Sequence, residues 1–441
     1  MGQTAERTIN PLLQLAQYGQ SPWYDYIRRG LLTSGELHRL IICDGLMGVT
    51  SNPSIFEKAI AGSSDYHDAL TELAQEPTNA KQCYEALAIR DVQDAADLLY
   101  SVYDATHAHD GYVSLEVDPE LAFNTAGTIE EARQLYHAVG RENVMIKVPA
   151  TPEGIPAVEA LISQSINVNV TLLFSVEVYE QVASAYIRGL AAHAEQGGRL
   201  QRVASVASFF VSRIDTEVDR LLDVTIKEAT DSVKTVARTL MGKVAIANAR
   251  LAYLSFQQLF HSAQFQVVEA KGAQVQRLLW ASTGTKNPRY SDTYYVEELI
   301  GPDTVNTIPA ATLTAFRDHG KVRLSLTEGL TEAQDVLKRL RHCGIDLSAV
   351  TQKLLLDGTA SSARRLRSSS WPSARSEPNS WGRCSIRPRL PLAHGSLTSR
   401  PRCRHSMRLG SCDECGRRIR RSGAKSPSLR PSSGMPWAGC M

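Results

Sequence analysis

An alternation of short β-rich runs and amphipathic helical stretches extends over about 350 residues, and it is the feature that most constrains the fold. Helical periodicity covers residues 128–139, 175–186 and 215–229, and the first helix is expected to begin at Thr128, with Glu131 at capping-box spacing. Five runs predict strands: 112–117, 143–148, 166–174, 203–211 and 277–282. This pattern is typical of parallel strands joined by helical crossovers. The length favours an α/β fold of the (β/α)8 TIM-barrel type with extra helices over two doubly wound domains.

The sequence lacks the signatures of several other protein classes. No GxGxxG follows a predicted strand and no GxxxxGK[ST] is present, so dinucleotide and P-loop sites have no support. No apolar run reaches the roughly 18 residues of a membrane span, and the N-terminus does not resemble a secretory signal. Cys43, Cys83 and Cys343 are too scattered for a disulfide framework and indicate a reducing compartment. We therefore expect a cytoplasmic protein with no membrane contact.

The near-neutral charge of +2 conceals two different parts of the chain. Residues 359–441 contain sixteen Arg and one Lys against three acidic residues, a formal charge of +14. Residues 1–358 contain 31 basic and 43 acidic residues, a formal charge of −12, which is typical of a globular domain that does not bind nucleic acid. We therefore expect a barrel domain at 1–358 and a separate basic tail at 359–441.

About half of the tail consists of Ser, Arg and Pro, a composition that predicts disorder and also resembles translation of GC-rich DNA in a shifted frame. Cys412 and Cys415, with Cys403 and His405, could be zinc ligands, but a structural site needs two closely spaced pairs. Arginine runs such as 417–421 could contact phosphate backbones, but aromatic residues for base stacking are almost absent. We expect neither zinc nor nucleic acid as a partner.

Lys147 is the strongest candidate for a catalytic residue, because it lies in an apolar strand between Ile146 and Val148. Burial among such neighbours disfavours the ammonium form and favours the free amine that imine formation requires. The alternative is a lysine at an exposed strand end or in a buried ion pair. In a parallel barrel the chemistry lies at the carboxyl ends of the strands, so polar residues near those ends are candidates for the same site.

Other predicted strands carry polar residues that would lie at the same end of the barrel as Lys147. Glu116 is a carboxylate inside an apolar strand, and its alternative role is to pair with a cation of the barrel. Asn167, Asn169 and Thr171 are every second residue of a strand and so share one face. The alternative is a layer of buried polar side chains that hydrogen-bond to one another. Asp25 lies among aromatic residues, where its alternative role is a helix cap or turn.

A set of hydroxyl and cationic side chains follows the later strands. Ser208 and Arg213 flank the Phe-Phe-Val end of one strand, and Ser282 ends another with Lys286 four residues further on. Such a set suits a phosphate dianion, although ordinary surface charges would give the same pattern.

Six motifs, in the same order along the chain, resemble the transaldolase family. Their residues are most similar to those of the longer bacterial and plant members. The resemblance runs from about residue 8 to Gly358. The motifs are SPWYDYIRR (21–29), VTSNPSIF (49–56), SLEVDP (114–119), MIKVPAT (145–151), INVNVTLLF (166–174) and WASTGTKNP (280–288).

The resemblance implies a class I aldolase-type barrel of the pentose phosphate pathway. Its reaction moves dihydroxyacetone from sedoheptulose 7-phosphate to glyceraldehyde 3-phosphate, giving erythrose 4-phosphate and fructose 6-phosphate. It implies sugar-phosphate substrates, no cofactor and no metal, and a monomer or a homodimer.

The resemblance also implies roles for single residues. Lys147 corresponds to the Schiff-base lysine, Asp25 to the acid/base of carbon–carbon cleavage, and Glu116 with Thr171 to the pair that holds the catalytic water. The implied substrate-binding positions are Asn52, Asn169, Ser208, Phe210, Arg213, Ser282 and Lys286. Lys286 stands where shorter members have an arginine, and the family's C-terminal helix is expected to be missing after Gly358.

Two alternative functions remain at this point. An aldolase of the same fold would release dihydroxyacetone instead of passing it to an acceptor, as in fructose 6-phosphate aldolase. A barrel without activity, with a nucleic-acid-binding tail, is the non-enzymatic alternative. It predicts salt-sensitive binding that is lost when the chain is cut at Gly358.

Overall fold

A computed structural model describes residues 10–75 and 79–368 of the chain. Its strands are β1 Gln20–Tyr24, β2 Gly48–Val49, β3 Tyr112–Glu116, β4 Val144–Pro149, β5 Val168–Leu173, β6 Ser205–Phe210, β7 Arg277–Ala281 and β8 Thr304–Ile308. All pairs are parallel and follow chain order, and β8 closes the sheet by pairing with β1. The predicted (β/α)8 barrel is therefore confirmed.

Helices surround this barrel and also precede and follow it. They are α1 Pro11–Leu15, α2 Arg29–Thr33, α3 Glu36–Asp44, α4 Pro53–Ala61, α5 His67–Leu73, α6 Ala80–Ala105, α7 Thr125–Val139, α8 Gly154–Ile162, α9 Val176–Glu195, α10 Ser212–Glu228, α11 Asp231–Leu240, α12 Val244–Phe260, α13 Ala263–Glu269, α14 Tyr294–Glu297, α15 Ala310–His319, α16 Leu330–His342 and α17 Leu347–Ser368. None of the helices in the described ranges is both long and apolar enough to cross a membrane.

Two buried apolar clusters hold these layers together. The larger cluster joins the outer faces of the strands to the helices. The smaller one fills the barrel interior with side chains from six strands, and its largest members include Trp23, Tyr112, Met145 and Leu279. Successive residues of a strand point to opposite faces, so the strands are buried on both sides, against the helices and against the barrel interior.

A buried ion pair closes the end of the barrel where the strands begin. Arg277 and Asp110 lie 2.9 Å apart and are 4% and 2% exposed. Arg277 also donates a hydrogen bond to Ser21 Oγ at 2.7 Å, and the Trp23 indole donates to Asp110 at 2.9 Å. This packing leaves the carboxyl ends of the strands as the open mouth of the barrel.

The five predicted strands are all present, with ends shifted by no more than two residues, but three others were not predicted. β2 has only two residues, which is too short for a period-two pattern. β1 contains Pro22, and β8 is rich in Thr and contains Asn306. Proline within a run argues against a strand in sequence reasoning, whereas Pro22 is accommodated here at the barrel seam.

One predicted helix start is wrong by a single turn. α7 begins at Thr125, and the side chain of Asn124 accepts a hydrogen bond from Gly127 N at 3.0 Å. Thr128 lies inside the helix and donates to Leu121 O, while the Glu131 carboxylate accepts from Asp118 N. Asparagine caps a helix at least as well as threonine, so the cap that lies earlier in the chain prevails.

Helix α17 corrects the expectation that helical structure is missing after Gly358. The helix passes through Gly358 without a break and reaches Ser368. A Cβ atom at Gly358 would lie 2.9 Å from the side chain of Leu172 and 3.6 Å from Arg213, so the missing side chain allows α17 to pack closely over the mouth. The predicted cysteine and arginine features beyond residue 368 lie outside the described residues.

Candidate active site

The mouth of the barrel contains a cavity of about 440 Å³ at the carboxyl ends of the strands. Ten of the eleven predicted site residues line it: Asp25, Asn52, Glu116, Lys147, Thr171, Ser208, Phe210, Arg213, Ser282 and Lys286. Asn169, the eleventh, is fully buried just below. The cavity therefore brings together side chains from most of the strands and from the loops that follow them.

Lys147 projects from β4 and is only 6% exposed. Its Nζ donates a hydrogen bond to the backbone carbonyl of Ser51 at 2.9 Å. In the sheet register Lys147 is paired with Glu116 on one side and with Asn169 on the other. Because paired residues of neighbouring strands share a face, these three side chains all point into the barrel.

Asp25 follows β1 directly, and its backbone N–H donates to Ile308 O at 3.0 Å. The Thr50 hydroxyl donates to Asp25 Oδ1 at 2.9 Å and lies 2.6 Å from the hydroxyl of Thr307. Burial raises the pKa of Asp25, and the cation of Lys147 and the Thr50 hydrogen bond oppose that rise. A carboxyl group in this setting is suited to exchanging protons near neutral pH.

Glu116 ends β3, and the pKa of its carboxyl group is raised, as is that of Asp25. Burial is the main cause of the rise, while the positive charges of Lys147 and Arg213 lower the pKa. The negative charge of Asp25 adds to the rise, so the two acids disfavour each other's ionisation around one amine. Such a pair of acids beside a buried lysine provides proton donors and acceptors on both sides of it.

A polar layer lies below the amine. The Asn169 side-chain amide donates to Ser114 Oγ at 2.9 Å, and Ser208 Oγ donates to Asn169 Oδ1 at 2.6 Å. Asn169 is thus held between two hydroxyl groups beneath the cavity, while Ser208 also contacts the cavity itself. Thr171 lies two residues further along β5, where the register with β6 shifts between Val170 and Leu173.

Asn52 lies on the other side of the mouth, at the start of α4. Its side-chain oxygen accepts a hydrogen bond from Ile55 N at 3.0 Å and so caps the helix. This contact fixes the orientation of the Asn52 amide, because its oxygen is bound to the backbone of α4.

Cations and hydroxyl groups converge on the opposite wall. Arg213 lies at the start of α10, with its guanidinium 4.8 Å from the ring centroid of Phe210. Ser282, which has a backbone φ of 58°, places its hydroxyl 3.0 Å from that of Ser212. Burial lowers the pKa of Arg213, and burial together with the charge of Arg213 lowers the pKa of Lys286. A wall of this kind favours a bound anion.

Sequence reasoning missed several residues at the mouth, four of which are polar or charged and are described here. Thr50 and Ser51 contact Asp25 and Lys147, and both belong to the 49–56 motif, so their proximity to Asn52 was an available signal. Thr307 lies on the unpredicted strand β8, and Arg365 lies on the part of α17 that was assigned to the tail. No local pattern marks Thr307, and the arginine run that includes Arg365 was considered only for nucleic-acid contact.

Within residues 10–75 and 79–368, no group of three or more His, Cys, Asp or Glu side chains is arranged to hold a metal ion. The candidate chemistry is that of the lysine and its two acids. A (β/α)8 barrel with such a lysine at its mouth and an anion-binding wall opposite defines an enzyme of the class I aldolase type.

Comparison with known proteins identifies the family more closely. A family model described as Transaldolase/Fructose-6-phosphate aldolase matches residues 22–369. The chain is 48% identical over 354 residues to "Transaldolase 2" of Nostoc sp. PCC 7120, covering 79% of this chain and 93% of the relative. It is 46% identical over 347 residues to a transaldolase of Thiobacillus denitrificans, covering 78% and 94%. The chain belongs to the transaldolase/fructose-6-phosphate aldolase family.

Proposed function

We propose that this barrel transfers dihydroxyacetone from sedoheptulose 7-phosphate to glyceraldehyde 3-phosphate through a Schiff base on Lys147. The chain is an enzyme of the transaldolase type, and its substrates are sugar phosphates. The observation that carries the assignment of Lys147 is its amine, which lies 6% exposed in a cavity lined by Asp25 and Glu116.

In the first step the Lys147 amine attacks the C2 carbonyl of the ketose. The resulting carbinolamine loses its hydroxyl as water, and a protonated imine forms. Glu116 and Thr171 border the cavity beside Lys147 and would hold this water while protons move between it and the amine. A carboxyl group of raised pKa is suited to giving and taking a proton in the same cycle.

In the second step Asp25 accepts the proton of the C4 hydroxyl, and the C3–C4 bond breaks. Its electron pair moves towards the iminium nitrogen, so the three-carbon fragment remains as an enamine on Lys147 and the aldose leaves. The acceptor aldehyde then reacts with the enamine carbon in the reverse sense. Asn52 and Ser208 would bind substrate hydroxyl groups, with Phe210 beside the bound donor, while Arg213, Ser282 and Lys286 would bind the phosphate.

Borohydride trapping tests the assignment of Lys147. Fructose 6-phosphate plus borohydride should attach the reduced sugar to the native protein, and peptide mass spectrometry should locate it on Lys147. Lys147→Met should abolish both trapping and turnover, because the imine cannot form without this amine.

Lys338→Met is the matched control, since Lys338 lies exposed on α16. That variant should trap and turn over like the native protein. An adduct that persists in Lys147→Met would contradict the proposal.

The aldolase alternative differs only in the fate of the enamine. Protonation of the enamine and hydrolysis of the imine would release dihydroxyacetone without an acceptor, and the same cavity would suit both outcomes. We propose transfer because the similar relatives are named transaldolases. Release of free dihydroxyacetone that is independent of acceptor concentration would favour the alternative.

The remaining proposals concern the whole chain. We propose a cytoplasmic monomer or homodimer, and light scattering on the full chain would distinguish these states. The division into a barrel domain and a basic tail also stays a proposal. Helix α17 crosses the expected boundary at residue 358 and continues to Ser368, and limited proteolysis would test where the barrel domain ends.

A further inference from the structure

A second cavity, of about 640 Å³, lies beside the mouth, between α17 and the loops that follow β3, β4 and β5. Its described lining is largely apolar and contains none of the eleven predicted site residues. Phe123 and Leu356, which belong to this lining, are about half exposed, so solvent reaches the cavity. We call it the side cavity.

Leu172 lies between the mouth and the side cavity. Among the described residues, it alone lines both cavities. Its side chain is buried, and α17 packs closely against it, because a Cβ atom at Gly358 would lie only 2.9 Å from Leu172 Cδ2. Leu172 and the overlying turn of α17 therefore close the mouth on the side that faces the second cavity.

The backbone at Leu172 is unusual. Its φ of 60° lies in the left-handed region, which is unfavourable for leucine. The register between β5 and β6 shifts at the same point, between Val170 and Leu173. Such a bulge redirects side chains, so that both Thr171 and Leu172 line the mouth, although neighbours in a regular strand point to opposite faces. Backbone strain of this kind is concentrated at functional sites, which suggests that the place of Leu172 matters for the reaction.

The amount of water in the mouth would decide the fate of the enamine on Lys147. With an acceptor aldehyde, the enamine carbon forms a new carbon–carbon bond. Without one, that carbon takes a proton, the iminium carbon adds water, and dihydroxyacetone leaves as the Lys147 amine is restored. The transfer cycle needs only the water that Glu116 and Thr171 would hold, and additional water favours release. Active sites that exclude water suppress hydrolysis of reactive intermediates.

We infer that Leu172 is a specificity-determining residue, which favours transfer over release by separating the enamine from the water of the side cavity. The inference rests on the proposed function and deepens it, because it names a side chain that directs the enamine to the acceptor. Leu172 acts by its bulk and by its apolar surface, and it supplies no group to the chemical steps.

A purely structural role for Leu172 makes a different prediction. If its side chain only supports α17, its loss should lower the melting temperature and reduce transfer and release by the same factor. If it excludes water, the ratio of release to transfer should rise. This ratio does not depend on the fraction of protein that is folded.

The test measures the formation of glyceraldehyde 3-phosphate from fructose 6-phosphate by the full-length native protein and by Leu172→Ala. A coupling enzyme removes this product, so it cannot serve as an acceptor. Without an acceptor every turnover requires release of dihydroxyacetone, and with saturating erythrose 4-phosphate turnover proceeds by transfer. Leu172→Ala would join the two cavities, and we expect the ratio of the rate without acceptor to the rate with acceptor to rise about tenfold.

Two further variants at this position complete the test. Leu172→Met keeps the apolar volume and should keep a ratio close to the native one. Leu172→Gly also removes the side chain, but glycine adopts a φ of 60° without strain. It should therefore fold even if Leu172→Ala does not, and its ratio should rise at least as much.

Leu355→Ala is the matched control. Leu355 lies on α17 and lines the side cavity, and it does not belong to the described lining of the mouth. The same truncation at this position enlarges the side cavity without opening it to Lys147, so the ratio should stay at the native value.

An unchanged ratio in Leu172→Ala and Leu172→Gly, or an equal rise in Leu355→Ala, would overturn the inference. Failure of the proposed function would look different, because the native protein would then form glyceraldehyde 3-phosphate equally fast with and without acceptor. A low native ratio that the substitutions of Leu172 leave unchanged would refute only the role of Leu172.

Discussion

Asp25 and Glu116 show how single residues at the mouth are tuned by their neighbours. Burial raises the pKa of both carboxyl groups, and both face the charge of Lys147. They differ in their hydrogen bonds, because Thr50 donates to Asp25 at 2.9 Å. This contact stabilises the carboxylate of Asp25, which is the form that the proposed cleavage step requires.

Thr50→Val tests the tuning of Asp25. Without the hydroxyl the pKa of Asp25 should rise further, so the acidic limb of the kcat profile should move to higher pH. At about pH 6 we expect kcat to fall roughly fivefold, which corresponds to about 1 kcal/mol for one hydrogen bond. The measurement is kcat between pH 5 and 9 on both proteins.

Asp25→Ala serves as the reference for this experiment. It should still trap substrate on Lys147 but stall at carbon–carbon cleavage in single-turnover measurements. If Thr50→Val shifts the acidic limb to lower pH, or leaves it in place, the role of the hydrogen bond is refuted.

Among the helices, α17 shows that amino-acid composition alone can predict disorder where the chain is helical. Its last turn is rich in arginine and serine, yet it continues a helix that packs against β5, α4 and α10. A helix that is already nucleated gains one hydrogen bond for each further residue, so it extends into sequence that would not begin a helix. The composition of residues 359–441 therefore did not reveal that their first ten residues are helical.

Truncation tests what these ten residues contribute. A chain that ends after Gly358 should lose the lining supplied by Ser361, Ser362 and Arg365, and its KM for fructose 6-phosphate should rise about tenfold or more. It should also melt at a lower temperature, because Thr359, which is only 4% exposed, is removed. A chain that ends after Ser368 is the control and should keep the native KM. Equal values for the two truncated chains would contradict the role given to this segment.

The stability of the whole molecule depends on a buried acid that takes no part in the proposed reaction. Asp215, on α10, is 1% exposed and accepts hydrogen bonds from Ala245 N at 2.8 Å and from the Tyr295 hydroxyl at 3.0 Å. Burial raises its pKa to about 7, and the charge of Asp219 adds to the rise. Since the folded state holds the proton more tightly than the unfolded chain, the contribution of Asp215 to stability falls as pH rises from about 4 to 7.

Asp215→Asn should remove this dependence. From pH 5 to pH 8 the free energy of unfolding of the native protein should fall relative to the variant by roughly 2–3 kcal/mol. The difference isolates Asp215, because Asp25 and Glu116 have raised pKa values of the same sign in both proteins. Urea unfolding at several pH values measures it, and parallel curves would show that Asp215 has no such role.

The barrel could be predicted because the alternation of strands and helices is repeated along most of the chain. Lys147 could be found from its apolar neighbours alone, whereas the roles of Asn52 and Thr171 needed the family resemblance. Thr307 was not found, and Arg365 was noted only as part of an arginine run of the tail, since the place of both residues at the mouth depends on barrel closure and on the packing of the last helix. Contacts of this kind arise from tertiary structure and leave no local pattern.

The ion pair between Arg277 and Asp110 has a consequence for the order of events in turnover. That end is closed and the interior is filled by side chains such as Trp23 and Leu279. The donor ketose and the acceptor aldehyde therefore reach the site through the same mouth of the barrel. The aldose product has to depart before the second aldehyde enters, while the three-carbon unit waits covalently attached. Under the proposed Schiff-base mechanism we therefore expect ping-pong kinetics.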